Sequence, residues 1–142
     1  MKFFIAVILC ACALNSAHCL SKEQKLELAK AMIIECKDKE SASNDDVSKL
    51  LSENLPESPE GQCMLACLNE KMGFFNEGKF DKEAFINMAK MIVENDEKLM
   101  MASQEFADEC GIVVGERCEQ ALKFETCLKN GVKERNLDFN LF

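Results

Sequence analysis

The sequence predicts an all-α fold: a six-helix domain, stapled by disulfides around an apolar cavity. Three observations predict it. Apolar residues recur at helical spacing behind successive capping signals, while β-branched runs and hairpin dipeptides are scarce. Six cysteines follow an N-terminal export signal, an even set that reads as three disulfides. Eight methionines and ten phenylalanines make up an unusual share of the apolar inventory, and methionine packs pliably around irregular space.

The first residues read as a processing segment. Met1-Lys2 is a short basic start, residues 3–14 (FFIAVILCACAL) are apolar, and Ala17 and Cys19 supply small residues at a cleavage site. Twelve apolar residues fall short of the roughly 20 that a transmembrane helix needs. The expected signal peptide is 1–19, with Ala17 the alternative cleavage point, and the mature domain is 20–142. Of 142 residues, 123 then remain, enough for one domain. Cleavage removes Lys2 and no acid, so the formal charge moves from −8 to −9. That favours a soluble chain and excludes nucleic acid and stable insertion into an anionic membrane as partners.

Cleavage also removes three of the nine cysteines, leaving Cys36, Cys63, Cys67, Cys110, Cys118 and Cys127. A metal site is the competing reading. The only histidine, His18, leaves with the signal, so no metal and no cofactor is expected. Cys63 and Cys67 lie four apart on one helix, which puts their Cβ atoms about 5–6 Å apart where a disulfide needs about 3.8 Å. Each must reach a different segment, so that helix is the hub of the chain. Cys118 and Cys127 are nine helical steps apart, about 13 Å, and should not pair either. Six cysteines allow 15 pairings; without those two bonds 10 remain, and spacing goes no further.

The elements follow in order. Ser21 and Gln24 make a capping box ahead of Leu26, Ala29, Ile33 and Cys36. A second helix starts near Ser43-Asn44-Asp45-Asp46, carries Val47, Leu50 and Leu51, and ends before Pro56. A third has Ser58 as N-cap and Pro59 at its first position, runs through Cys63, Cys67 and Leu68, and stops near Gly73. The connection 74–80 holds Phe74, Phe75 and Phe80, expected to tuck under the domain. Its Asn76, Gly78 and Asp81 lack the EF-hand spacing. Asp81 caps a fourth helix with Phe85, Met88, Ala89 and Ile92 on one face. Asn95 or Asp96 opens a fifth, with Leu99, Ala102, Phe106 and Cys110, closed by Gly111. The sixth is expected from about Glu116 to Asn130, with Gly131 as its stop.

The mature chain has no histidine, tryptophan or tyrosine. Ser-His-Asp and Cys-His catalysis are therefore absent, and oxidised cysteines leave no thiolate nucleophile. Nothing asks for an enzyme.

The cysteine spacing x26, x3, x42, x7, x8, behind a signal peptide and through six helices, closely resembles the insect odorant-binding proteins of the pheromone-binding and general odorant-binding type. The x3 and x8 gaps are the specific marks, and the resemblance spans the whole mature chain. It implies the pairing Cys36–Cys67, Cys63–Cys118 and Cys110–Cys127. It also implies a secreted, extracellular carrier of small hydrophobic ligands such as odorants or pheromones, with a chemosensory receptor and a homodimer as further partners. A saposin-like lipid-interacting domain and a salivary or venom protein sequestering bioactive amines are the alternatives. The cysteine spacing disfavours the first, and the lack of Trp and Tyr for an aromatic cage disfavours the second.

Pocket walls are expected from Phe85, Met88, Ala89, Met91 and Ile92 on the fourth helix, Met64 and Leu68 on the third, Ile33 on the first and Leu122 on the sixth. In the tail, 136–142, Leu137, Phe139 and Leu141 alternate with polar residues, an extended pattern. Phe139, Leu141 and Phe142 are expected to cover the cavity, and any acid response to rest on carboxylates such as Asp138 or the C-terminal one.

Overall fold

A computed structural model of the chain describes residues 21–93 and 96–137. Six helices and one small hairpin make it up: α1 (Lys22–Glu40), α2 (Asn44–Leu51), α3 (Pro59–Lys71), β1 (Phe75–Asn76), β2 (Lys79–Phe80), α4 (Lys82–Val93), α5 (Glu97–Cys110) and α6 (Arg117–Glu134). The signal segment and most of the tail lie outside the described residues.

The helix starts are set by short polar side chains that satisfy orphan N–H groups. Ser21 accepts from the Gln24 N–H at 3.3 Å, and Gln24 Oε1 accepts from the Ser21 N–H at 2.9 Å, closing the capping box. Ser58 Oγ accepts from Gly61 N–H at 2.9 Å, Asp81 Oδ1 from Ala84 N–H at 2.9 Å, and Asp96 Oδ1 from Leu99 N–H at 3.0 Å. Asp46 does more than open α2. Its Oδ2 accepts from the Ser43 N–H at 2.9 Å and Oγ at 2.7 Å, while its Oδ1 accepts from Ser58 Oγ at 2.7 Å. One buried carboxylate thus joins the caps of α2 and α3. The Ser43 hydroxyl bond leads the effects that hold its pKa below the ordinary value, against the cost of burial. Gly61 gives it room: a Cβ there would lie 2.6 Å from Asp46 Oδ1 and 2.5 Å from Pro56 Cβ.

Two expectations are corrected. Residues 74–80 form a two-stranded antiparallel hairpin, with Phe75 opposite Phe80 and Asn76 opposite Lys79. Its turn residues Glu77 and Gly78 have φ of 50° and 75°, the positive pair that a tight hairpin turn matching strand twist requires. Gly131 does not stop α6, which continues to Glu134. It is buried inside the helix because Phe106 lies on its backbone; a Cβ would sit 2.4 Å from Phe106 Cε1. That glycine serves a close approach, not a cap.

The disulfides are Cys36–Cys67, Cys63–Cys118 and Cys110–Cys127, with Cα–Cα distances of 5.6, 4.4 and 5.6 Å. They tie α3 to both α1 and α6, and α5 to α6; α3 also packs most extensively on those same two helices. Neither α2 nor α4 carries a cross-link. The three phenylalanines of the hairpin region turn inward as expected. Fully buried Phe124 stands at their centre, its ring 5.2–6.3 Å from those of Phe74, Phe75, Phe80 and Phe85.

Ion pairs brace the outside. Arg117 gives Nε and Nη2 to Glu70 at 2.6 and 2.9 Å and Nη2 to Glu40 at 2.9 Å, linking α6, α3 and α1 beside the Cys63–Cys118 bridge. Its guanidinium holds the Glu70 carboxyl below the ordinary range. Arg135 Nη2 donates to both carboxylate oxygens of Glu109 at 2.8 and 2.9 Å, and its guanidinium lies 4.9 Å from the centre of the Phe106 ring.

Candidate ligand-binding site

The buried apolar side chains gather in three groups. Ile33, Met64 and Leu68 share one with Cys36, Ala42 and Cys67, where α1 meets α3. Phe85 belongs to the phenylalanine group, and Met88 packs against it. Leu122 packs on Leu65, Ala66 and Ala121, where α3 meets α6. Ala89 is buried and Met91 half-buried on α4. The expected wall residues therefore turn inward, Ile33, Met64, Leu68, Phe85, Met88 and Leu122 into separate groups and Ala89 and Met91 outside all three. Ile92 is the exception, 42% exposed. It sits in the last turn of α4, and Val93 turns inward in its place. Phe139, Leu141, Phe142 and Asp138 lie outside the described residues.

Two clefts open on the surface beside the hairpin. One, of about 380 Å³, runs between Phe80 and Lys82 on one side and Asp108 and Ile112 on the other. The second, of about 270 Å³, lies between Phe75 and Arg117. Both are rimmed by charged residues and open to water, so an apolar molecule would gain little there, and no expected wall residue lines either.

The interior holds two polar side chains that the sequence reading passed over. Asn69 on α3 is 0% exposed, and neither its Nδ2 nor its Oδ1 has a hydrogen-bond partner. On α6, burial pushes the Glu125 carboxyl up to about 7, against a smaller opposing influence from the Asn69 amide. The two are thus close, yet no hydrogen bond of proper geometry joins them. A signal for both was present: each is a polar residue on a helix face otherwise apolar at spacings of three and four, Leu65 and Met72 around Asn69, Ala121, Leu122 and Leu128 around Glu125. No cluster suited to a metal ion occurs among the described residues.

The six helices and the three bridges match a known architecture. The model of the PBP/GOBP family matches residues 10–131. The chain belongs to the PBP/GOBP family. General odorant-binding protein 19d of Drosophila melanogaster is 30% identical over 122 residues, covering 84% of this chain and 79% of that one. The structure of odorant-binding protein dmelOBP28a from Drosophila melanogaster superposes with a TM-score of 0.71 at 24% identity, over 83% of this chain and 100% of that chain. A pheromone-binding protein from the cockroach Leucophaea maderae, solved with the fluorescent reporter ANS, gives a TM-score of 0.60 at 27% identity, over 71% and 89%. The PBP/GOBP family is one of secreted carriers of small hydrophobic ligands and not of enzymes. No described helix is long and apolar enough to cross a membrane.

Proposed function

We propose that this PBP/GOBP protein is exported by cleavage of 1–19, and that the domain 20–142 carries small hydrophobic molecules through extracellular fluid. The observation that carries the reading is the division of the interior. Apolar faces of α1, α3, α4 and α6 converge in three buried groups that are linked through the partly buried Met72 and Leu50, where a filled domain of this size would usually show one buried core. Three disulfides offset the packing lost around such an interior, each worth about 2–4 kcal/mol. Met64, Leu68, Ile33, Phe85, Met88, Ala89, Met91 and Leu122 are the walls in this reading, and Phe139, Leu141 and Phe142 close it from the tail. A chemosensory receptor and a second copy of the chain are its macromolecular partners. The cockroach relative's complex with an aromatic reporter supports the same chemistry.

Titration of the mature protein with N-phenyl-1-naphthylamine tests this. Saturable, blue-shifted fluorescence that apolar competitors displace is the expected result. Absence of saturable binding overturns the carrier role.

A further inference from the structure

Single apolar side chains on a surface are ordinary, and Leu28, Ile34, Leu51, Ile92 and Met101 stand 42–64% exposed on their helices. The connection from α5 to α6 is different. Its Ile112 and Val114 are 77% and 75% exposed, more than any of those five. The loop that carries them is also held at both ends and in the middle. Cys110 and Cys118 flank it, bonded to Cys127 and Cys63. Between them Gln120 Nε2 donates to the Val113 carbonyl at 3.0 Å, and Lys123 Nζ donates to the Val114 carbonyl at 3.2 Å. Val113 turns inward onto the phenylalanine group. Two β-branched side chains, stiff in themselves, are therefore presented to water on a fixed mount. Covering them would order little that is not ordered already.

Both side chains rim the larger of the two clefts beside the hairpin, and the walls of that cleft differ in character. The hairpin and the start of α4 bring Lys79, Phe80 and Lys82; α5 and the loop bring Asp108, Ile112 and Val114. The walls meet where the Phe80 ring lies on Gly111, at which a Cβ would sit 2.3 Å from Phe80 Cδ1. Lys82 pairs with Asp108 Oδ1 across the cleft, yet the Asp108 side chain keeps 67% of its exposure. Lys79 makes no ion pair among the described residues. One wall is thus cationic and aromatic, the other anionic and aliphatic.

We infer that this face is the docking surface for a second copy of the chain, placed by a twofold axis through the cleft. The inference rests on the reading above that a second copy is a partner, and it names the surface used. A twofold axis there lays each wall against the opposite wall of the other copy. Lys79 of each copy then faces Asp108 of the other, and Ile112 and Val114 of each face the other's Phe80. Unlike charges meet and apolar groups meet, with no second surface required, so association closes at two. A small apolar molecule would leave the cleft open to water, whereas a second copy covers it. An anionic bilayer would meet Asp108 and a chain of net charge −8. One cleft and one loop make a patch below the roughly 800 Å² per partner of standard complexes, so the dimer is a weak one.

Sedimentation velocity of the mature protein tests this. Monomer at about 10 μM and a growing share of dimer toward about 1 mM is the expected result for an interface at the small end of the range. Ile112→Ser/Val114→Ser, both exposed positions, should raise the dissociation constant by about tenfold or more, as truncation of central interface side chains does. Leu28→Ser/Ile34→Ser on α1 should leave it unchanged. Lys79→Asp and Asp108→Lys should each weaken the dimer by setting like charges together, and the double exchange Lys79→Asp/Asp108→Lys should restore it. A dimer that the loop variant leaves intact, one lost in the α1 variant, one that the double exchange fails to restore, or species that grow beyond two overturns this surface and leaves a second copy standing as a partner. Monomer at every concentration overturns both. Probe binding, the test of the carrier role, is read separately and depends on neither result.

Discussion

Glu125 sits among Ala121, Leu122 and Leu128 on α6, and its carboxyl is held near neutrality by burial, at about 7 against an ordinary 4.5. A carboxyl whose folded pKa is raised acts on stability in the opposite sense to the usual surface acid. Below pH 4.5 both states are protonated and the group has no effect. As pH rises toward 7 the unfolded chain ionises first, so stability drains away across that window and levels off above it. The full difference is on the order of 3 kcal/mol. Asp46 and Glu70, whose pKa values are lowered, contribute in the other direction, being stabilising above their unfolded values and losing that effect in acid. Comparison of Glu125→Gln with wild type isolates the one group. The variant should gain a few kcal/mol in urea unfolding at pH 8 and nothing at pH 4; an equal gain at both would refute the assignment. Acid response in this chain therefore has a carboxyl inside the helical frame, beyond the tail carboxylates that the sequence suggested.

At the level of elements, the two glycines Gly131 and Gly78 show what a linear reading can and cannot see. Capping chemistry is local, so Ser21, Ser43, Ser58, Asp81 and Asp96 announced five helix starts within a residue or two. Cysteine spacing is local too, and its resemblance to a family supplied the pairing that spacing by itself left among several. Gly131 looks like a stop signal, but its role is set by Phe106 on another helix, a contact no window on α6 contains. Gly78 enables a hairpin only because Glu77 beside it also accepts positive φ, and glutamate is a poor advertisement for that. Asn69 and Glu125 stood visibly on apolar faces, yet only the packing of α3 on α6 puts them together. Gly131→Ala discriminates the two roles. An alanine in an exposed helix interior would stabilise by about 1 kcal/mol. Here the added methyl meets Phe106 Cε1 at 2.4 Å, and overpacking costs typically about 1–3 kcal/mol. A lowered thermal midpoint is expected; a raised one would show that Phe106 yields freely.

For the whole molecule, the disulfides divide the work unequally. Cys63–Cys118 closes a separation of 55 residues, Cys36–Cys67 of 31 and Cys110–Cys127 of 17. In the chain-entropy model these are worth about 4.2, 3.7 and 3.1 kcal/mol. Replacing both cysteines of one bridge by alanine should therefore lower the thermal midpoint most for Cys63–Cys118 and least for Cys110–Cys127. The reverse order would mean that local packing at each bridge, and not closure of the unfolded chain, sets its contribution.

The same bridges leave α4 without a rivet. It is held by Phe85 in the phenylalanine group and by the Lys82–Asp108 pair to α5, noncovalent contacts on a helix that carries Phe85, Met88, Ala89 and Met91. A cage whose other large walls are welded together must breathe through the wall that is not. Backbone amides of α4 should then exchange with deuterium well before those of α3 and α6, and a bound guest should slow α4 the most. Traffic into and out of the interior would be timed by how often this one helix swings away, so a guest's residence time would depend on the fit of a single loose panel.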